Sequence, residues 1–388
     1  MLSALAALAP APLAPFLLDA LGLSRAQAGL FLPALYLGGV LMAVPAGWLT
    51  DRLGVRRTLA LGQALTGAAV TLAAAGASLP GILACLTVAG FGFSVANPAT
   101  GRAVMEWFPP RQRGLAMGIK QTGLTLGGVL GALTLPPIAL AFGWRAAFVT
   151  AGALTALSGL LVTLLYRRPP VSLVDTAAAR PPLSDVGAVL RRPGVAVVFV
   201  CGFLFSLAQA SILAYLALYA RETYAVSAVT AGRLLALAQV GGTLARLGGG
   251  WASDRFLGGR RRPGIVVTGI TAALAFIALA FGERVPVALA AVLAVLVGAG
   301  AFGWVGLYFA LVAEMGGARW AGVLTGIAVV FAWSGVLVGP VLFGALAEAG
   351  GYAGAWLLLA AIVLSAAAAI ARLKPLVRRE AATPASGA

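Results

Sequence analysis

The sequence predicts an all-α membrane protein of twelve transmembrane helices in two pseudo-symmetric six-helix bundles, and three observations carry that prediction. First, 61% of the 388 residues are hydrophobic and 10% charged, with a mean hydropathy of +1.00. Soluble domains run about 45–50% apolar and about 25% charged, and in water this chain would expose more hydrocarbon than a monomer tolerates. Second, the apolar residues gather into twelve runs, each near the ~20 residues that a spanning helix requires. Third, a charged pattern after the second run returns after the eighth, a sign of internal duplication.

The predicted spans, numbered 1 to 12 in chain order, have cores at 2–20, 27–50, 58–78, 81–104, 115–140, 146–166, 195–220, 228–252, 264–282, 286–312, 321–346 and 353–373. Span 1 lacks a preceding positive charge and a cleavage site, so it reads as a short first crossing rather than a secretory signal. Pro10, Pro12 and Pro15 in span 1, and Pro136 and Pro137 in span 5, are expected to bend or break their helices. Gly123, Gly127 and Gly131 in span 5, and Gly335 and Gly339 in span 11, recur at helical spacing and are expected to let helices approach closely in lipid. The one long polar interruption runs from Arg167 to Gly194. The expected organisation is therefore a bundle over 1–166, a cytoplasmic linker over 167–194, a second bundle over 195–373 and a cytoplasmic tail over 374–388.

Orientation follows from the basic residues, because positively charged loops stay cytoplasmic. Of 27 Lys and Arg, four (Arg102, Lys120, Arg233 and Arg246) fall inside apolar runs. With both termini cytoplasmic, four more (Arg25, Arg145, Arg221 and Arg284) lie outside, leaving 19 inside. The expected location is the cytoplasmic membrane with both ends inside. The basic excess, a net charge of +16, sits in short clusters between apolar runs, an arrangement that sets topology and does not suit nucleic acid.

The duplication is specific. At an offset of 203, Gly29, Gly38, Gly39, Gly47, Trp48, Asp51 and Arg52 match Gly232, Gly241, Gly242, Gly250, Trp251, Asp254 and Arg255. At 208, Glu106, Arg111, Gly114, Gly118, Gly127 and Gly131 match Glu314, Arg319, Gly322, Gly326, Gly335 and Gly339. The pattern from Gly47 through Asp51, Arg52, Gly54, Arg56 and Arg57, repeated more weakly after span 8, resembles the signature of the major facilitator superfamily, and twelve spans split by a central loop agree with it. The resemblance covers nearly the whole chain. It implies alternating access, with this loop serving conformational gating rather than substrate contact.

Asp51 and Asp254 end spans 2 and 8 where spans 11 and 5 begin, and helix N-termini favour negative charge. Asp51 is thus expected to dock on span 11 and Asp254 on span 5. Arg52, Arg56, Glu106, Arg111, Arg113, Arg255, Glu314 and Arg319 would extend these latches into charge clusters that close the inner gate.

A cation at the bilayer centre costs ~2.5 to 3.5 kcal/mol on insertion scales, so each one in a span needs a reason. Arg102 lies four residues before Glu106 and is expected to pair with it. Arg233, ~31 Å above Asp254 along a helix, is expected at the outer interface, where it can snorkel. Arg246 lies ~12 Å above the inner surface and Lys120 ~10 Å in on span 5, with no acid at that depth. Either Lys120 reaches the inner surface or backbone carbonyls, or an anion arriving from solvent is the partner of both cations.

The run from Arg246 to Asp254 also resembles span 8 of the monocarboxylate transporters and of the oxalate/formate antiporter, and the resemblance implies that Arg246 binds a substrate carboxylate. The antiporter's lysine on span 11 has no counterpart here, nor has the span 8 acid of the monocarboxylate transporters. Asn97, Tyr308, Tyr36, Trp304, Gln209 and Trp333 lie well inside their spans and are expected to complete the site, with Tyr215, Gln239 and Ser334 as further polar residues at depth.

No histidine is present, and Cys85 and Cys201 lie 116 residues apart within apolar runs. Histidine catalysis and cysteine–histidine metal sites are excluded, no cofactor is expected, and no nucleophile or acid–base pair suggests an enzyme. The expected function is secondary active or facilitative transport of a small anion, an organic carboxylate, by a monomer in the lipid bilayer, with protons or a counter-anion as the coupling species. The alternative is a proton-coupled multidrug or neutral-solute carrier, which normally needs a carboxylate within the spans.

Overall fold

A computed structural model describes residues 1–109, 113–167, 187, 190, 191, 194–282 and 286–373. Among them every regular element is helical. Eleven helices are long and apolar enough to cross a membrane, and the arm following Gly54 makes the twelfth predicted crossing. Leu140, Phe142, Leu164 and Leu274 are among the large apolar side chains left exposed, which is the pattern lipid tails solvate and water does not. The predicted linker, apart from a few of its residues, and the predicted tail lie outside the described residues. So does Arg111, and so do the side chains of Arg113 and Arg319.

The expected proline effects differ between spans. Span 1 breaks into Leu2–Ala7 and Pro10–Leu21, with Pro10 taking the first helical turn, where its missing N–H costs least. Span 5 runs unbroken as Arg113–Phe142 with Pro136 and Pro137 inside it. Span 4 divides at Val95 into Leu79–Ser94 and Ala96–Trp107. Pro98 cannot donate to the carbonyl four residues back, which loosens that turn just where Asn97 sits.

Two hairpins appear as continuous helices. Phe31–Ala73 contains spans 2 and 3 and turns at Gly54, whose φ of 74° lies in the left-handed region. Thr58 Oγ1 accordingly donates to the Leu49 carbonyl, nine residues back, at 3.3 Å. Val287–Gly350 contains spans 10 and 11. Phe205 stacks on Trp304 while Leu207, two residues on, meets the backbone of Gly339. A straight helix would separate Trp304 from Gly339 by ~52 Å, so the rod reverses between the crossings Leu289–Gly316 and Val323–Gly350. The remaining crossings are Trp144–Leu165, Val195–Tyr224, Ala228–Phe256, Arg261–Ala280 and Tyr352–Arg372.

Backbones meet at small residues, as the glycine spacing predicts. Gly127 abuts Ala4 and the Met1 carbonyl, and Gly335 and Gly339 abut the carbonyls of Phe203 and Leu207. Gly298 packs on Ala238 and Gly67 on Gly152, leaving no room for a Cβ. Span 8 of the second half meets span 5 of the first where Gly232 lies against Ala132 and Pro136, and where the Gln239 side chain covers Gly128.

Candidate functional site: two gates and the cations between them

The two ends of the molecule are wired differently. At the end bearing Asp51, each half pairs its own charges. Arg102 bridges Asp51 at 3.1 Å and Glu106 at 2.7 Å, the latter being the expected pair one helical turn apart. In the second half Arg261, at the start of span 9, bridges Asp254 at 2.6 Å and Glu314 at 3.0 Å. The carboxylates are related by the repeat, while the arginines come from different spans. Asp51 and Asp254 stay 63% and 64% exposed, and between described residues no ion pair joins the halves at this end. Among the described residues their carboxylates are thus partnered within their own halves, and most side chains at the starts of spans 11 and 5 lie outside those residues. Arg52 lies over the Trp48 ring at 4.2 Å, and Arg56 and Arg255 are exposed.

The opposite end is bridged between the halves, and its two arginines, Arg25 and Arg221, are ones that positive-inside counting reads only for topology. Arg25, in the short helix Arg25–Ala28 that Ser24 and Gln27 cap reciprocally, donates from Nε to Glu222 at 2.8 Å, and its Nη2 forms an ion pair with the same carboxylate at 2.7 Å. Its guanidinium lies 5.0 Å from the Tyr352 ring centroid, and its carbonyl accepts from Tyr215 Oη at 2.6 Å. Tyr352 Oη also donates to Glu222 at 3.0 Å, and the Ala26 N–H to Glu348 at 3.2 Å. In return Arg221 reaches Asp19 at 2.6 Å and the Pro15 carbonyl at 3.0 Å. An open depression of about 360 Å³ lies over this network, lined by Leu18, Asp19, Leu23, Ser24, Arg25, Glu222 and Glu348. Tyr215, expected at depth in its span, thus serves this end.

Between the ends, the predicted site residues fall into three groups. Arg246 donates from Nε to the Phe302 carbonyl at 2.8 Å, and the Tyr36 hydroxyl of the first half is within electrostatic range of its guanidinium. Tyr36 sets its ring edge-on to Trp333 of span 11 at 5.7 Å and to Phe93 of span 4 at 6.2 Å. Arg246, Tyr36 and Trp333 therefore converge from spans 8, 2 and 11. Lys120 and Asn97 form a second group, with Nζ donating to Asn97 Oδ1 at 2.5 Å and to the Asn97 carbonyl at 3.3 Å. Among the described residues neither cation forms an ion pair. The third group is packing: Trp304, 1% exposed, donates to the Ala301 carbonyl at 2.9 Å, and Tyr308, 0% exposed, lies edge-on to it at 5.1 Å. Gln209 Oε1 is buried without a hydrogen-bond partner among the described residues, and Ser334 bonds to its own helix at Val330.

A duplicated bundle of membrane-crossing helices, with a charge cluster at each end and two cations between, defines a membrane transport protein. The family model of the Major Facilitator Superfamily matches residues 1–336, and the chain belongs to that superfamily. It is 32% identical over 362 residues to an uncharacterised MFS-type transporter of Mycobacterium tuberculosis, covering 91% of this chain and 78% of that one. It is 24% identical to the hexuronate transporter of Bacillus subtilis, over 96% of this chain and 92% of that protein. Its fold aligns with a bacterial homolog of the human lysosomal transporter Spinster in an inward-facing, unoccupied conformation, with a TM-score of 0.81, 18% identity and coverage of 95% and 93%. It is not an enzyme, and it transports a small molecule across a membrane.

Proposed function

We propose that the chain carries a small anion, an organic carboxylate, across the cytoplasmic membrane by alternating access. The observation that carries this reading is Arg246: a cation within span 8, anchored through Nε to Phe302, whose two terminal nitrogens take no hydrogen-bond partner among the described residues. An unpaired guanidinium at such depth is costly unless a ligand anion completes it. Its planar fork matches a carboxylate in bidentate geometry. Lys120 supplies a second charge from the first half, so one anion touching both would draw the halves together and couple binding to closure. A relative named for hexuronate, a carboxylate, supports the class.

In this reading residues 1–166 rock against 195–373 about the midplane. With basic loops cytoplasmic, the bridged end faces outward and the state described is inward-facing, in a monomer with both termini inside. Among the described residues no carboxylate lies mid-span, which favours anion exchange, facilitated diffusion or symport in which the substrate or Lys120 carries the proton. Uptake of radiolabelled carboxylates into proteoliposomes tests the proposal. Saturable uptake that Arg246→Ala abolishes is expected; uptake of cationic or neutral solutes alone would overturn it.

A further inference from the structure

We infer that Asp19 and Glu222 form a reciprocal latch that holds the two halves together at the bridged end, each carboxylate receiving an arginine from the opposite half. The two acids are separated by 203 residues, the same offset that aligns Asp51 with Asp254. Both occupy the last turn of the first span of their half, in Pro10–Leu21 and Val195–Tyr224. A carboxylate at a helix C-terminus faces the negative end of the helix dipole and is disfavoured there. Each acid is relieved by a cation from across the interface: Arg221 for Asp19 and Arg25 for Glu222.

The arms are unequal. Asp19 is 62% exposed and makes one ion pair among the described residues, and pairs of that kind contribute little in water. Glu222 is 29% exposed, accepts from Arg25 Nε and from Tyr352, and is also within ion-pair distance of Arg25 Nη2. Arg25 is in addition held over the Tyr352 ring and by Tyr215 at its carbonyl. The Arg25–Glu222 arm therefore dominates, because several charge-assisted contacts must break together when one side chain leaves. Since Arg221 precedes Glu222 in the chain, the last turn of span 7 both gives and receives an arginine, and the two arms open as a unit. This latch does not depend on the nature of the substrate.

The test uses the full chain with Cys85→Ala and Cys201→Ala, carrying Ala28→Cys as a reporter. Ala28 is 4% exposed beside this end. A membrane-impermeant thiol reagent is applied to proteoliposomes without substrate. Arg25→Glu and Glu222→Arg are each expected to raise the labelling rate about tenfold, and the double charge swap to return it close to the parent. Asp19→Asn should raise it less. Unchanged labelling in either single variant, or a folded double swap that stays fast, would overturn the latch. If a charge reversal fails to fold, Arg25→Gln and Glu222→Gln carry the same comparison, and parental labelling in both would count against it.

Discussion

Lys120 of span 5 donates from Nζ to the side-chain oxygen of Asn97 in span 4 at 2.5 Å, and again to its backbone carbonyl at 3.3 Å. The lysine is thereby fixed by a neutral residue that leaves its charge uncompensated. The carbonyl is reached just after the break at Val95, in the turn where Pro98 leaves span 4 one hydrogen bond short.

Asn97→Asp replaces that neutral acceptor with a carboxylate and neutralises Lys120 in place. If the lysine serves the anion, the KM for carboxylate uptake should rise at least about tenfold, the cost of losing one charged hydrogen bond. Asn97→Ser, which keeps the site neutral, should stay near the parent. Equal KM values for Asn97→Asp and the parent would remove Lys120 from the site.

Arg246→Lys keeps the charge and loses the fork, so substrate binding should weaken by about 10- to 100-fold while the protein inserts and folds. Arg246→Ala should abolish transport. Isothermal titration with the transported anion in detergent checks the first, and proteoliposome uptake the second. Parental affinity in a well-folded Arg246→Ala protein would falsify the assignment.

Asp51→Asn should cost the described state little, since Asp51 is 63% exposed and among the described residues pairs with Arg102 alone, and such pairs contribute about 0 to 1 kcal/mol. Its effect belongs to the other state, in which Asp51 is proposed to dock on span 11. The variant should shift distances across the Asp51 end towards the open population in double electron–electron resonance. An unchanged distance distribution would count against that docking.

Gly298→Ala places a Cβ onto the backbone of Ala238, where nothing flexible can yield, whereas Gly250→Ala points into open space. The first should destabilise by about 1 to 3 kcal/mol, the usual cost of overpacking. The second should leave the Tm in detergent unchanged. Similar Tm values for the two would contradict the packing of spans 8 and 10.

Most of the fold was legible in the sequence because lipid imposes a strict rule: each crossing must satisfy its own backbone, so its length and apolarity are written locally. The duplication and the glycine contacts of spans 5 and 11 followed from spacing alone. Tyr36, Trp333 and Arg246 could each be picked out as polar or aromatic residues at depth, yet their convergence from spans 2, 11 and 8 was not. Trp304 and Tyr308 looked equally eligible and instead fill helix interfaces, because which face of a helix meets a neighbour depends on the rotation of both. The reach of Arg25 to Glu222 was hidden for the same reason. Positive-inside counting reads a loop arginine for its sign, whereas a bridge between halves 197 residues apart in the chain exists only once the bundles are docked. The sequence by itself determined the membrane class, the crossings and the repeat, since these rest on interactions within a few helical turns. Only the tertiary structure decided which end is bridged, since ion pairs across an interface depend on the relative placement of two bundles, which no local pattern encodes.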